Sequence, residues 1–279
     1  MIKIVTDSSS DLPDELVDRH GISIVPLTIR FGTEEFVDRE EIDTEGFWSR
    51  LEQNAGLPET AAPSAGAFLD TYRRLAEESD TDGILVLCLS ADLSATYQAA
   101  VIAAERFAES SAVPVRVLDS RMVSMGLGLQ AIAAAEDAAG GIGLDDLTAR
   151  AMRRPPLTTV FAALDTVEYL KRGGRVGGAS ALIAGLLDVK PLITLVDGVI
   201  APAGRVRTRS KATERIVQEC LDRAHSGRLC VFGGRSPNLD AVIARIEAET
   251  GHTAVRAELG AVVGTHAGPG VLGLAHLAD

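Results

Sequence analysis

Residues with hydroxyl groups, carboxylates and one histidine occur in a few short segments, and the predicted local structure of these segments favours the binding of an anion. Residues 89–98 (LSADLSATYQ) follow an apolar run with Ser90, Asp92 and Ser94, and a helix is predicted to begin near Ser94. The free N–H groups at a helix start, together with a hydroxyl, favour an anion at that point. The other interpretation is that one of these three side chains only caps the helix.

Two further segments carry candidate polar groups. Residues 58–64 (PETAAPS) form a proline-punctuated loop before a predicted helix, and Ser64 suits the N-cap position, which does not account for Thr60. Residues 264–270 (GTHAGPG) place His266 in a predicted glycine-rich loop after a strand, where a ligand or a neighbouring backbone can approach closely. An isolated histidine is also compatible with a structural role.

Two groups of cations are unusual in an acidic chain. Residues 169–178 (YLKRGGRVGG) combine three cations with four glycines, but they lack the GxxxxGK[ST] pattern of a nucleotide site. On a continuing strand, alternation would put four cations on one face: Arg205, Arg207, Arg209 and Lys211. This face is interpreted either as a solvated edge strand or as a docking surface for an acidic partner.

Signatures of common catalytic and metal sites are absent from the sequence. It contains no HExxH, no GxSxG and no CxxC, and no second histidine is close to His266. Residues 126–131 (GLGLQA) imitate a dinucleotide-binding fingerprint, but they lie too far beyond the predicted strand end at Asp119, so we interpret the match as chance. We predict no metal, no cofactor and no catalytic residue. Structural roles are expected for Cys88, Cys220 and Cys230.

Composition limits the classes of partner. The chain has 279 residues and a net charge of −12, with 39 acidic and 27 basic residues, which disfavours nucleic acid and anionic membrane surfaces. No apolar run approaches the roughly 18 residues of a membrane span. We therefore expect a cytoplasmic protein with no nucleic-acid partner and no stable membrane insertion.

The elements that must position these groups alternate along the first half of the chain. Apolar runs at residues 2–6, 22–31, 84–90 and 115–119 predict strands, and helical patterns separate most of them. Such alternation predicts a mostly parallel sheet flanked by helices. Consecutive prolines at 155 and 156 interrupt the pattern, so we predict an N-terminal domain of residues 1–154 and a C-terminal domain of residues 155–279.

The second half predicts a mixed sheet. Strands are expected at residues 158–164, 228–233 and 253–263, with a helix over residues 238–249. Residues 192–196 and 199–206 flank an Asp-Gly pair and predict a hairpin. The predicted fold class is α/β, with two α/β domains.

Six segments, in this order along the chain, resemble the motifs of the DegV family: residues 6–12, 60–64, 93–98, 168–176, 190–191 and 266–270. The resemblance implies that one long-chain fatty acid binds in a cleft between two α/β domains. It further implies a non-catalytic carrier that presents the fatty acid carboxyl group to a partner, the catalytic subunit of a fatty acid kinase, for acyl-phosphate formation in phospholipid synthesis.

By the same resemblance, the carboxylate-binding positions are Thr60, Ala61, Ser94 and His266. The hydroxyls of Thr60 and Ser94 hold the carboxylate, with His266 nearby, and the family usually has serine or threonine where this chain has Ala61. The apolar residues 179–187 are expected to form a tunnel wall through Leu182, Ile183 and Leu186. The basic face of Arg205, Arg207, Arg209 and Lys211 is expected to meet the kinase.

Two other functions compete with the carrier. The first is a serine-dependent hydrolase or acyltransferase with Ser94 as nucleophile and His266 as base. The second is a sensor of another small carboxylate, because an anion site does not define what lies behind it.

Overall fold

The first half of the chain forms a parallel sheet and a small antiparallel one. The computed structural model describes residues 1–53, 56–78, 80–177 and 189–279. The described strands of this half are β1 (Ile2–Asp7), β2 (Ile22–Val25), β3 (Thr28–Phe31), β4 (Glu34–Val37), β5 (Glu59–Ala61), β6 (Gly83–Cys88) and β7 (Val115–Asp119). All pairs in the first sheet, of order β2-β1-β6-β7, are parallel. The second sheet, of order β4-β3-β5, is antiparallel.

Helices flank these strands, as the alternating pattern predicted. In the described part of this half they are α1 (Asp14–His20), α2 (Thr44–Gln53), α3 (Ala65–Ala76), α4 (Thr96–Ala108), α5 (Met125–Ala139) and α6 (Leu144–Ala151). Ser64 caps α3 by accepting a hydrogen bond from the Ala67 N–H at 3.1 Å, which confirms its predicted role.

The second half forms a mixed sheet. Its described strands are β8 (Thr158–Ala163), β9 (Lys190–Val196), β10 (Val199–Val206), β11 (Gly227–Gly234), β12 (Val255–Glu258) and β13 (Val271–Ala278). Its described helices are α7 (Glu168–Arg172), α8 (Arg209–Leu221), α9 (Leu239–Thr250) and α10 (Ala261–Ala267). The strand order is β10-β9-β8-β13-β11-β12, and only the β11–β12 pair is parallel. The predicted α/β fold class is confirmed.

The hairpin of β9 and β10 turns at Asp197 and Gly198, as predicted. Their φ angles of 49° and 82° are the left-handed values that a two-residue hairpin turn requires. The tip of this hairpin docks on the first half, where the Ser90 hydroxyl donates to the Gly198 carbonyl at 2.7 Å. Ser90 therefore has a structural role.

Helix α5 joins the two halves. It packs against β1 of the parallel sheet and against β8 and β13 of the mixed sheet, and most of its alanine, glycine and leucine residues are buried. A Cβ on Gly126 would lie 2.5 Å from Cγ2 of Val160, so glycine permits the close approach of α5 to β8. The domain boundary at 154 and 155 remains a prediction, although the strands of the parallel and mixed sheets lie on opposite sides of it.

Two predicted strands were wrong in part. The run at residues 22–31 divides into β2 and β3, which belong to different sheets, because Pro26 has no N–H for a continuous ladder. The run at residues 253–263 ends at Glu258, and residues 261–267 form α10 instead. No described helix is long and apolar enough to cross a membrane.

The prediction of four cations on one strand face was also wrong. Strand β10 ends at Val206, and Thr208 caps α8 by accepting from the Lys211 N–H at 3.2 Å. Arg209 and Lys211 therefore lie on a helix, and Arg209 pairs with Asp165.

Candidate functional site

An apolar cavity of about 190 Å³ lies between the parallel sheet and the mixed sheet. From the first half, Leu89 and Val123 reach it beyond the carboxyl ends of β6 and β7, the edge at which parallel sheets usually bind ligands. The mixed sheet contributes most of the wall, including Val160, Ala162, Ile193, Ile200 and Phe232. Aliphatic side chains thus dominate the lining.

Polar side chains from three distant segments line this cavity, and we call the part that they line its polar end. Thr60 is on β5, and its Oγ1 lies 2.9 Å from Nε2 of His266 on α10. Ser94 lines the same cavity just before α4. Thr60, Ser94 and His266, which are far apart in sequence, therefore line one cavity.

The imidazole of His266 is neutral near pH 7. Burial, together with the positive charge of Arg175, lowers its pKa to about 4. Its Nδ1 is buried without a hydrogen-bond partner, and a Cβ on Gly173 would lie only 2.2 Å from that atom. Because buried N–H groups without a partner are rare, we place the proton on Nε2, which then donates to Thr60. The Thr60 hydroxyl remains free to donate to a ligand.

Ser94 makes local hydrogen bonds before α4 and also lines the cavity. Helix α4 begins at Thr96, and its N-cap residue is Ala95, which makes no side-chain capping bond. The Ser94 oxygen accepts from the Thr96 N–H at 3.3 Å and lies 2.9 Å from the Thr96 hydroxyl. The N-cap position therefore belongs to Ala95 and not to Ser90, Asp92 or Ser94. The Ser94 hydroxyl still has a proton to donate.

Arg175 is a site residue that the sequence did not single out. It lines the cavity, its Nη1 donates to the Gly173 carbonyl at 2.7 Å, and its Nε donates to the Leu93 carbonyl at 3.2 Å. The guanidinium thus connects the segment after α7 with the segment before α4. Its signals in the sequence were the cation-rich, glycine-rich run at residues 169–178 and the family-like segment at residues 168–176.

The predicted contribution of Ala61 does not fit the observed strand register. Thr60 in β5 pairs with Ile29 of β3, and successive residues of a strand point to opposite sides. Ala61 is exposed, whereas Ala62 lines the cavity beside Thr60. A hydroxyl missing at position 61 would not be missing from this cavity.

His266 lies on a helix and not in the predicted loop. Gly264 lies within α10, at a position where a larger residue would collide with α2. A Cβ there would lie 2.6 Å from Cε1 of Phe47 and 3.0 Å from Cζ2 of Trp48. The glycine thus permits helix packing and does not break the helix.

The remaining predicted site residues lie elsewhere. Leu182, Ile183 and Leu186 fall outside the described residues. Arg205 and Arg207 are exposed, and so is Lys211 on the first turn of α8. Among the described residues, no group of three or more histidine, cysteine, aspartate or glutamate side chains could hold a metal ion.

The fold and the cavity define a class of α/β proteins with a parallel sheet, a mixed sheet and an apolar cavity lined in part by hydroxyl groups and a neutral histidine. Residues 1–279 match the model of the DegV family, and the chain belongs to this family. A DegV domain-containing protein of Streptomyces coelicolor is 41% identical over 278 residues, which are 98% of this chain and 97% of the relative.

Solved structures of the family have the same fold. A fatty acid-binding DegV family protein of Thermus thermophilus is 34% identical, with a TM-score of 0.87 over 100% of this chain and 99% of that one. DegV of Bacillus subtilis, also a fatty acid-binding protein, is 28% identical, with a TM-score of 0.89 over 100% and 99% of the two chains.

Proposed function

We propose that this protein binds one long-chain fatty acid, with the acyl chain in the apolar cavity and the carboxylate beside Thr60, Ser94 and His266. The observation that carries this proposal is an apolar cavity whose polar lining residues are connected: Thr60 contacts His266, and Arg175 bonds the carbonyls of Leu93, beside Ser94, and of Gly173, beside His266. That distribution matches a ligand with one anionic group and a long hydrocarbon tail. The fatty acid-binding relatives from Thermus thermophilus and Bacillus subtilis support the same ligand class.

Burial of the acyl chain accounts for tight binding without a covalent step. Each buried methylene contributes about 0.8 kcal/mol, so a chain of about fifteen methylenes contributes about 12 kcal/mol before association costs are subtracted. A buried carboxylate needs donors, which Thr60 and Ser94 provide as hydroxyls, and Arg175 adds a positive charge. The tail therefore dominates affinity, and the polar end determines orientation.

A carrier fits the polar end better than a serine hydrolase does. The hydroxyl of Ser94 is hydrogen-bonded to Thr96, while Nε2 of His266 is hydrogen-bonded to Thr60. Nδ1 of His266 has no acidic partner to orient the ring, since no group bonds it in the described part of the chain. We therefore propose that the protein itself is not an enzyme.

We also propose that the carboxyl group is presented to a fatty acid kinase. Arg175 lines the cavity and is also an exposed residue, so we expect the carboxylate end to lie near solvent. Arg205→Glu/Arg207→Glu is expected to spare lipid binding and to abolish phosphorylation of the bound acid by a kinase subunit. The double reversal of two other exposed arginines, Arg106 and Arg153, is the control, and retained phosphorylation in Arg205→Glu/Arg207→Glu would exclude this docking face.

Lipid extraction tests the ligand directly. Purified protein is denatured and extracted, and the lipids are identified by mass spectrometry, for the wild type and for Ser94→Ala/His266→Ala. Ser210→Ala/His252→Ala, which changes exposed residues of the same types, is the matched control. We expect stoichiometric fatty acid in the wild type and control only. No fatty acid in the wild type, even after incubation with free acid, would overturn the proposal.

A further inference from the structure

Helix α10 belongs to the second half in sequence, but its beginning is held by the first half. The N–H of Gly260 donates to Oδ1 of Asp11 at 2.9 Å, and the indole Nε1 of Trp48 donates to the carbonyl of Leu259 at 3.1 Å. Both bonds hold the two-residue turn that leads into α10. The far end of the same helix carries His266.

Asp11 joins three segments through one carboxylate. It is 5% exposed and follows the 3₁₀ turn Ser8–Ser10 with a left-handed φ of 52°. Its Oδ2 accepts from the Ser124 hydroxyl at 2.6 Å, just before α5, while Oδ1 accepts from Gly260. The N-terminal turn, the beginning of α5 and the beginning of α10 therefore meet at this side chain.

Gly128 allows α5 to approach the N-terminal turn closely. A Cβ on Gly128 of α5 would lie 2.9 Å from the Ser10 carbonyl oxygen, so α5 packs directly on the turn that precedes Asp11. The carboxylate thus bonds groups whose backbones are already held close together.

We propose that Asp11 is a positioning residue for the carboxylate site, holding α10 so that His266 faces Thr60. This inference rests on the proposed fatty acid binding. Leu259, Val262 and His266 all line the cavity from the segment that Asp11 anchors. A short helix is stiff, so a displaced first turn would move the last turn, roughly 9 Å away at 1.5 Å per residue.

Several charged groups lie on one side of Asp11. The charge of Asp38 raises the pKa of Asp11, and the charge of Arg39 lowers it. Arg256 and Glu258 of β12 border the same region and pair with each other at 3.0 Å. Burial dominates and raises the pKa of Asp11 to about 7, so an amide is a close mimic of its neutral form.

The test compares Asp11→Ala with Asp11→Asn. Alanine removes both hydrogen bonds, whereas asparagine keeps an oxygen for the Gly260 N–H and an amide donor for Ser124. Glu219→Ala is the matched control, because Glu219 is also buried but lies on α8 outside the cavity. Dissociation constants for palmitate, unfolding free energies and the nitrogen NMR shifts of His266 in the ligand-free protein are measured.

We expect Asp11→Ala to weaken palmitate binding at least tenfold and to raise the pKa of His266 toward its ordinary value. Asp11→Asn should stay within about threefold of the wild type, and Glu219→Ala should keep the wild-type affinity. Trp48→Phe removes the hydrogen bond to Leu259 and retains an aromatic ring, so it should lose less palmitate affinity than Asp11→Ala. It is the test variant if Asp11→Ala does not fold.

The outcomes separate this inference from the proposed function. Wild-type His266 shifts and wild-type affinity in folded Asp11→Ala would overturn the positioning role. An equal loss of affinity in Glu219→Ala would overturn it too, because the effect would then follow stability. Failure of wild-type protein to bind palmitate, with altered His266 shifts in Asp11→Ala, would overturn the fatty acid proposal alone.

Discussion

The two ends of the cavity are built in different ways. Aliphatic side chains from β8, β9 and β10 share the apolar wall with Phe232 of β11, so each contributes a small part of the contact area. The polar end consists of four side chains, each with a different contribution: Thr60, Ser94, Arg175 and His266. The wall should therefore tolerate conservative exchanges, whereas each polar group has its own measurable effect.

Filling the wall should produce the largest effect. Ala162 on β8 lines the cavity and is 4% exposed, so Ala162→Phe would place a ring in a volume of about 190 Å³. We expect palmitate affinity to fall at least a hundredfold, with a smaller loss for an eight-carbon acid. Unchanged palmitate affinity in a folded variant would show that the chain does not occupy this cavity. Calorimetry with an acyl-length series measures both.

Removing a single polar donor should have the next largest effect. Thr60→Val keeps the shape but loses the hydroxyl, and a hydrogen bond to a charged group contributes about 1.5–3 kcal/mol, or roughly 10- to 100-fold in affinity. Thr60→Ser should keep most of the affinity. Ala61→Ser changes the exposed neighbour and should have no effect on the dissociation constant. A loss in Ala61→Ser equal to that in Thr60→Val would contradict the observed register.

The pH dependence of stability tests whether the polar end contains a neutral imidazole. The pKa of His266 is about 4 in the fold and ordinarily 6.5, so the unfolded chain binds this proton more readily. Stability should therefore decrease as pH falls from 6.5 to 4, by on the order of 2 kcal/mol from this group. Urea denaturation at several pH values should show a weaker dependence in His266→Gln. Identical curves for wild type and variant would refute this assignment.

A substitution that crowds His266 should have the smallest effect among these four predictions. In Gly173→Ala the new methyl would lie 2.2 Å from Nδ1 of His266, so the ring must turn away from Thr60. We expect a loss of about tenfold in palmitate affinity, on the scale of one hydrogen bond. Gly143→Ala, where no atom lies within 4 Å of the added carbon, is the control. Equal affinities in the two variants would show that the orientation of His266 is unimportant.

Sequence patterns predicted the wall better than the polar end. The strand at residues 158–164 and the hairpin around Asp197 follow from continuous apolar runs and turn chemistry, which act locally. The helix at residues 261–267 was missed because Val262 and Val263 favour a strand, and only packing of Gly264 against α2 reveals the reason for a helix.

The site residues divide in the same way. Thr60, Ser94 and His266 were named through the family resemblance, and the structure places all three on one cavity. Arg175 was missed because its position depends on carbonyls of Leu93 and Gly173 that a sequence pattern cannot bring together. Ala61 was named because the family usually has serine or threonine there, and its exposed position depends on a register of β5 that the sequence does not give.

Carbon-13 NMR of carboxyl-labelled palmitate bound to the protein tests the central claim most directly. We expect one bound carboxyl signal in slow exchange that remains ionised between pH 5 and 8, because donors and the charge of Arg175 stabilise the carboxylate. The signal should move in Thr60→Val and stay in place in Ala61→Ser. A signal that titrates like free fatty acid, or moves equally in both variants, would contradict a carboxylate held at Thr60, Ser94 and His266.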